Sequence, residues 1–278
     1  MAEMITSSQN PGIKNLILLQ SKSRERKKQN IAVIEGYREI SRALISGVEL
    51  LILYFCPELV NSEKVLEIEE SCPKLEKISV SVKVFERLAY REGSDGLIAL
   101  IRPKYLKLAE LNLSKYPLLI ILESVEKPGN LGAVLRTADA AGVDAVIIGD
   151  PLTDLYNPNT IRSSVGCIFT RQIAVADSKE IMKWLLKNNV TTYAAALNRE
   201  ARNYDLFNYK GSTAFVMGTE ATGLSPKWLE FCNSQVIIPM LGIADSLNVS
   251  VSTSILVYEA MRQRNFETVM MHSGKNHI

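Results

Sequence analysis

Residues 117–139 read Pro117-Leu-Leu-Ile-Ile-Leu-Glu-Ser-Val-Glu-Lys-Pro-Gly-Asn-Leu-Gly-Ala-Val-Leu-Arg-Thr-Ala-Asp139. The apolar run from Pro117 to Leu122 suits a strand buried on both faces of a parallel sheet. Near Gly129 or Asn130 the pattern becomes helical, runs to Ala141 and is ended by Gly142. A strand feeding directly into a helix is the repeating unit of an α/β sheet, and the turn between them is where such sheets bind ligands.

The alternation continues downstream. Strands are expected at 145–148, 173–175, 192–196, 214–217 and 236–238, with helices at 158–165 and 178–188 and a last helix from Ser246 to Arg264. Strands alternating with helices imply a mainly parallel sheet covered on both faces. Upstream lies a smaller α/β pattern. A helix over 8–20, begun at Pro11, is followed by the crowded cations Lys22, Arg24, Arg26, Lys27 and Lys28. Strands at 31–34, 50–55, 78–80 and 97–101 then alternate with helices at 37–45, 62–72 and 82–90. Residues 102–117 carry Pro103 and Pro117 without a Gly/Ser linker, which sets the expected domains at 1–106 and 117–267.

The bulk numbers exclude several classes. At 278 residues and 47% apolar, the chain can bury real cores. Its 32 basic and 30 acidic residues rule out a histone-like hold on nucleic acid by bulk charge, although a local basic surface is compatible with them. Cys56, Cys72, Cys167 and Cys232 are scattered with no Cys-x-x-Cys pair, the pattern of reduced thiols in a cytoplasmic protein without a metal. No apolar run reaches the ~20 residues that span a bilayer. The only histidines, His272 and His277, fall in the last seven residues, so chemistry inside the fold is expected to run without histidine. The tail 268–278 is expected to be disordered.

Three segments carry chemistry. In the first, Gly129 and Gly132 allow close backbone approach, and Arg136 sits among Ala, Val and Leu on the helix. A surface Arg in a cap or pair would look the same. The segment offers only Gly-x-x-Gly, short of the Gly-x-Gly-x-x-Gly that dinucleotides require. In the second, Phe215-Val-Met-Gly-Thr-Glu-Ala-Thr-Gly-Leu-Ser-Pro226, a strand breaks at Gly218 into a loop holding Glu220 and Gly223 before Pro226 starts a helix. An ordinary strand-to-helix turn explains the glycines but not the acid at the carboxyl edge of a parallel sheet. In the third, Ile237-Ile-Pro-Met-Leu-Gly-Ile-Ala-Asp-Ser-Leu-Asn-Val-Ser-Val-Ser252, Ser246 is a natural N-cap. Capping leaves Asn248, Ser250 and Ser252 unexplained on a helix whose other residues look buried.

Taken together these segments resemble the motifs of the SpoU branch of the SPOUT methyltransferases, the TrmH-like RNA 2′-O-ribose methyltransferases. The matching residues are Asn130-x-Gly-Ala-x-x-Arg136, Gly218-x-Glu-x-x-Gly-Leu224, and Ile238-Pro-Met followed by Ser246-Leu-Asn-Val-Ser-Val251. The common family version has Asn where this chain has Thr219, and Gly where it has Ala221. Residues 1–106, with Val33-Ile-Glu-Gly-Tyr-Arg38, are similar to the L30e-like RNA-binding domain that precedes the catalytic domain in many members.

The resemblance implies a trefoil knot in an α/β domain with a mainly parallel sheet, a homodimer, S-adenosylmethionine as methyl donor, and structured RNA as substrate without a metal or a membrane. It implies Arg136 as the catalytic side chain, with Asn130, Glu220, Asn248 and Ser250 orienting Arg136 and the ribose. Leu197, Gly218, Ile238 and Leu247 would receive the adenosyl group. A guanidinium hardly deprotonates, so Arg136 is expected to stabilise a developing alkoxide or grip a phosphate rather than act as a simple base. Lys22, Arg24, Arg26, Lys27, Arg38 and Arg162 are the candidate RNA contacts, against the alternative that a charge run is merely solvated. Ribosomal RNA is favoured over transfer RNA because the extra domain resembles that of ribosomal RNA modifiers. A nucleotide-dependent oxidoreductase and a catalytically silent RNA-binding protein are the rival readings.

Overall fold

The computed structural model describes residues 4–90 and 93–267. The tail 268–278, with both histidines, lies outside the described residues. The chain forms two compact units.

The first unit is built around a four-stranded sheet. In chain order its elements are α1 (Pro11–Ser21), α2 (Ser23–Gln29), β1 (Ala32–Glu35), α3 (Tyr37–Ile45), β2 (Leu50–Phe55), α4 (Ser62–Ser71), β3 (Glu76–Ser79), α5 (Val82–Leu88) and β4 (Leu97–Ile101). The sheet order is β1-β4-β2-β3, with β4 antiparallel to both β1 and β2, and β3 parallel to β2. Every residue of β4 is buried, as its central place demands. Ile13, Leu16 and Leu19 recur at helical spacing along α1 and pack with Val33, Phe85 and Ile98 in one core. Asn10 starts α1: its side chain accepts from the Gly12 amide at 2.8 Å, and Pro11 fills the first helical position, where no amide donor is needed.

The second unit is built around a seven-stranded sheet. The elements that follow β4 in the chain are β5 (Leu118–Glu123), α6 (Pro128–Ala140), β6 (Ala145–Gly149), α7 (Pro158–Ser163), α8 (Cys167–Thr170), β7 (Gln172–Ala176), α9 (Ser178–Lys187), β8 (Thr191–Ala195), β9 (Arg202–Asn203), β10 (Thr213–Met217), α10 (Pro226–Phe231), β11 (Ser234–Ile237) and α11 (Val249–Gln263). The sheet order is β7-β6-β5-β10-β8-β11-β9, and every pairing is parallel. From β5 the chain winds outward through β6 to β7, then returns on the other side, so the order reverses between β5 and β10. That reversal marks the carboxyl edge of the sheet as the place for a ligand.

Residues 127–136 and 153–170, which follow the expected boundary in sequence, cluster with the first unit and not with the sheet they interrupt. Helix α6 therefore starts in one unit and ends in the other. Where α6 crosses α7, a Cβ on Gly132 would lie 1.9 Å from Ser163 Oγ and 2.7 Å from the Ser164 amide nitrogen, so only glycine allows that approach.

Two expectations are corrected. The basic run is not a uniformly solvated face, because it forms α2 and turns Arg26 inward. Arg26 is 4% exposed, its Nε lies 2.6 Å from Asp154 Oδ2, and it donates to the Leu19 and Gln20 carbonyls, so it is not open to RNA. The last helix starts at Val249, not Ser246, and its N-cap is Asn248. The first helix begins at Pro11, as the sequence suggests, and residues 8–10 precede it. The short α8 and β9 were not foreseen.

The Arg26–Asp154 pair is buried on both sides. Removing one partner strands a charge, so Arg26→Ala is expected to cost ~3–5 kcal/mol in urea unfolding. An Arg26→Met, Asp154→Leu double variant should recover most of that loss, and equal losses in the single and double variants would refute this role for the pair.

Candidate active site

Strands β8, β10 and β11 end side by side at Ala195, Met217 and Ile237, and the segments leaving them wall a cavity of about 380 Å³. Leu197, Gly218, Ile238 and Leu247 all line it. Its lining includes no Lys or Arg and one carboxylate, Glu220. Such a lining suits a cationic, largely apolar ligand. A pyrophosphate would meet no basic side chain there.

The wall formed by residues 218–225 is a tight turn. Thr219 and Gly223 exchange backbone hydrogen bonds at 3.1 and 3.0 Å, and the Thr219 hydroxyl lies 2.8 Å from that of Thr222. Gly223 turns the chain at φ +67°. A Cβ on Gly218 would fall 2.2 Å from the Gly223 carbonyl carbon and 2.4 Å from the Leu224 nitrogen, so any side chain there would break the turn.

This turn is anchored at both ends. At the far end, Ser225 donates to Glu123 from its amide (2.8 Å) and its hydroxyl (2.6 Å). Glu123 closes β5 and is 5% exposed, so it needs these donors. Two residues on, Lys227 reaches Asp150 at 2.8 Å, at the end of β6. Asp150 also accepts from the Ser178 hydroxyl at 2.6 Å, and that hydroxyl accepts from the fully buried Trp228 indole at 3.0 Å. At the near end, Asn248 Nδ2 donates to Glu220. The Asn248 carbonyl oxygen caps α11, accepting from the Ser250 amide at 2.9 Å and the Ser250 hydroxyl at 2.6 Å. One turn on, the Ser254 hydroxyl donates to the Ser250 carbonyl at 2.8 Å and lies 2.7 Å from the Thr137 hydroxyl. The polar residues at the head of α11 thus have distinct tasks: Asn248 ties two loops together, Ser250 completes the cap, and Ser246 and Ser252 face the cavity.

Glu220, Asn248 and Ser250 form one hydrogen-bonded cluster. Asn130 lies in the first turn of α6 and is half-buried. Arg136, two turns on, is exposed and makes no hydrogen bond or ion pair among the described residues. Glu123, Asp150, Ser225 and Lys227 were missed by the sequence reading. The available signal was an acid closing an otherwise apolar strand, repeated at Glu123 and just past the end of β6 at Asp150. Of the remaining candidate RNA contacts, Lys22, Arg24 and Lys27 are exposed, Arg38 pairs with the buried Glu39 at 2.9 Å, and Arg162 lies 5.1 Å over the Tyr90 ring. Among the described residues no group of His, Cys, Asp and Glu could hold a metal, and no helix is long and apolar enough to cross a membrane.

A parallel α/β sheet with a loop-walled cavity at its carboxyl edge, in a chain with a second, small α/β unit, defines a class that known families and solved structures identify. The model of the SpoU rRNA Methylase family matches residues 117–258, and that of the MRM3-like substrate binding domain matches residues 10–99. The 23S rRNA (guanosine(2553)-2′-O)-methyltransferase RlmP of Bacillus subtilis (strain 168) is 32% identical over 257 residues, 92% of this chain and 98% of that protein. The crystal structure of an RNA 2′-O ribose methyltransferase superposes with TM-score 0.82 at 41% identity, covering 95% of this chain and 100% of that one. That of the AdoMet-bound rRNA methyltransferase from Sinorhizobium meliloti gives TM-score 0.86 at 26% identity, covering 94% and 97%. The chain belongs to the SpoU rRNA methylase family.

Burial pushes the Asp150 carboxyl up, but hydrogen bonds from Lys227 and Ser178 outweigh it and hold the group below the ordinary value of 3.8. The stability this gives is present above that value and is lost as pH falls through the depressed one. Asp150→Asn is therefore expected to lower the thermal midpoint at pH 7, with the gap to wild type narrowing below about pH 4. A gap that stays constant down to pH 2.5 would contradict this.

Proposed function

We propose that this chain transfers a methyl group from S-adenosylmethionine to a ribose 2′-hydroxyl of ribosomal RNA. The observation that carries the reading is the cavity at the ends of β8, β10 and β11. It is walled by backbone around Gly218, Ile238 and Leu247 and contains one carboxylate and no basic side chain. S-adenosylmethionine supplies an electrophilic methyl on a positively charged sulfur, a ligand that fits such a lining. Leu197, Gly218, Ile238 and Leu247 would hold the adenosyl group largely through backbone, so Gly218 must stay bare.

The protein's share of the chemistry is alignment and charge. Holding the ribose oxygen in line with the methyl can supply ~7–11 kcal/mol of barrier reduction. Arg136, exposed and without a partner among the described residues, has a free guanidinium fork to stabilise the oxygen as it loses its proton or to fix the adjacent phosphate. Asn130 is assigned to orient the substrate beside it. Glu220, Asn248 and Ser250 act as a connected group, so loss of any one loosens both loops.

Ribosomal RNA is favoured over transfer RNA because the Bacillus relative, named for 23S rRNA, matches over both parts of the chain. A silent RNA-binding protein would have no use for the cavity at the strand ends. We also read the segments around Gly218 and from Ile238 to Ser252 as the trefoil knot of this family, the protein as cytoplasmic, and the assembly as a homodimer. Leu241 and Ile243 before α11, fully exposed, and the exposed Val251 and Tyr258 on α11 support the dimer. Light scattering should give twice the chain mass, and a monomeric mass at micromolar concentration would sink this part of the reading.

Calorimetry should detect S-adenosylmethionine binding to wild type and not to Gly218→Ala. Arg136→Ala should keep that affinity and lower methyl transfer to ribosomal RNA by ~10²–10³-fold. Wild-type protein that binds no S-adenosylmethionine, with or without RNA, would overturn the proposal.

A further inference from the structure

Tyr90 follows α5 in the first unit and is 52% exposed. The chain from Leu88 to Tyr90 is nevertheless held at two points. Gln20 Nε2 donates to the Leu88 carbonyl at 2.7 Å, and the Tyr90 amide donates to Glu35 Oε2 at 2.7 Å. The Arg162 guanidinium lies over its ring at 5.1 Å from the centroid. Both side chains border a small cleft with Gln20, Val33, Glu35, Pro158 and Ile161, all within this unit.

An exposed cation–π pair is worth only ~0.5–1 kcal/mol, so the contact alone gives little reason to fix a large ring at the surface. The ring's surroundings supply one. The cleft beneath it has about 20 Å³, room for no more than a water, so a planar ligand would lie on the ring rather than enter. Arg162 backs the ring with a cation, and Lys22, the first of the exposed cations of the α2 segment, follows Gln20 by two residues. A flat π face flanked by positive charge matches an unpaired nucleobase with its phosphates. A duplex keeps its bases stacked inside and has no face to offer.

We propose that Tyr90, backed by Arg162, is a stacking platform for one unpaired base of the RNA substrate. The assignment rests on the proposed function and adds the form in which the RNA is gripped: at this point it is single-stranded. Arg162 acts through its planar guanidinium, and flanking phosphates are met by the exposed Lys22, Arg24 and Lys27.

The test uses the full chain with a single-stranded RNA of about ten nucleotides carrying 2-aminopurine, beside a duplex of the same sequence. Tyr90→Ala should bind the single strand about 5- to 150-fold more weakly, the ~1–3 kcal/mol that one stacked base is worth, and lose the 2-aminopurine quenching. Tyr90→Phe keeps the ring and should stay within about twofold of wild type. Duplex binding, S-adenosylmethionine affinity and the thermal midpoint should be the same in all three. If Tyr90→Ala binds the single strand as wild type does, if Tyr90→Phe is as weak as Tyr90→Ala, or if single strand and duplex weaken equally, the platform is refuted while the methyltransferase reading stands. If wild type binds neither S-adenosylmethionine nor RNA, both fall together.

Discussion

A carboxylate at the end of a buried strand must find donors or give up its charge, and much of the site follows from where Glu123 finds them. Its two oxygens accept from the amide and the hydroxyl of Ser225, about a hundred residues later. That bond fixes the far end of the turn that starts at Gly218. Once Ser225 is held, α10 begins in a defined place, Lys227 reaches Asp150, and Trp228 is buried against Ser178. The strand ends of β5, β6 and β10 are joined by polar contacts that water at an open sheet edge would otherwise satisfy less specifically.

The near side of the cavity depends on a different economy of atoms. Asn248 has one acceptor and one two-proton donor, and it uses them in opposite directions. The acceptor caps α11, and the donor reaches Glu220 in the facing turn. Two loops that close one pocket are thereby tied by a residue whose position is fixed by helix geometry. A site that must hold donor and acceptor in line gains from such rigidity, because alignment is the main service the protein provides.

Much of this was legible in the sequence because the signals were local. Leu50–Phe55 and Leu97–Ile101 are strands at the boundaries their apolar runs set, and the glycines at 218 and 223 marked the turn between β10 and α10. What stayed hidden involves partners far apart in the chain. Ser246 and Asn248 are equally good caps by type, and the choice between them depends on Glu220, 28 residues away. Arg26 looks like its neighbours in a run of cations, and only the fold brings Asp154, 128 residues on, beneath it. Glu123 as a loop anchor has no local signal beyond being an acid where an apolar strand stops. Strand β9, two residues long, carries no periodicity at all.

The composition of the first compact unit has a consequence for how this chain can be taken apart. Residues 1–105 share that unit with 127–136 and 153–170, which include Arg136, Asn130 and the Asp154 that neutralises Arg26. A fragment cut in the proline-bearing connection would leave Arg26 facing a void and β1 stripped of its α7 neighbour. Recombining this unit with the remainder of a relative would therefore need three separate segments of sequence to travel together. The first compact unit, as an inheritable piece, is discontinuous in the gene.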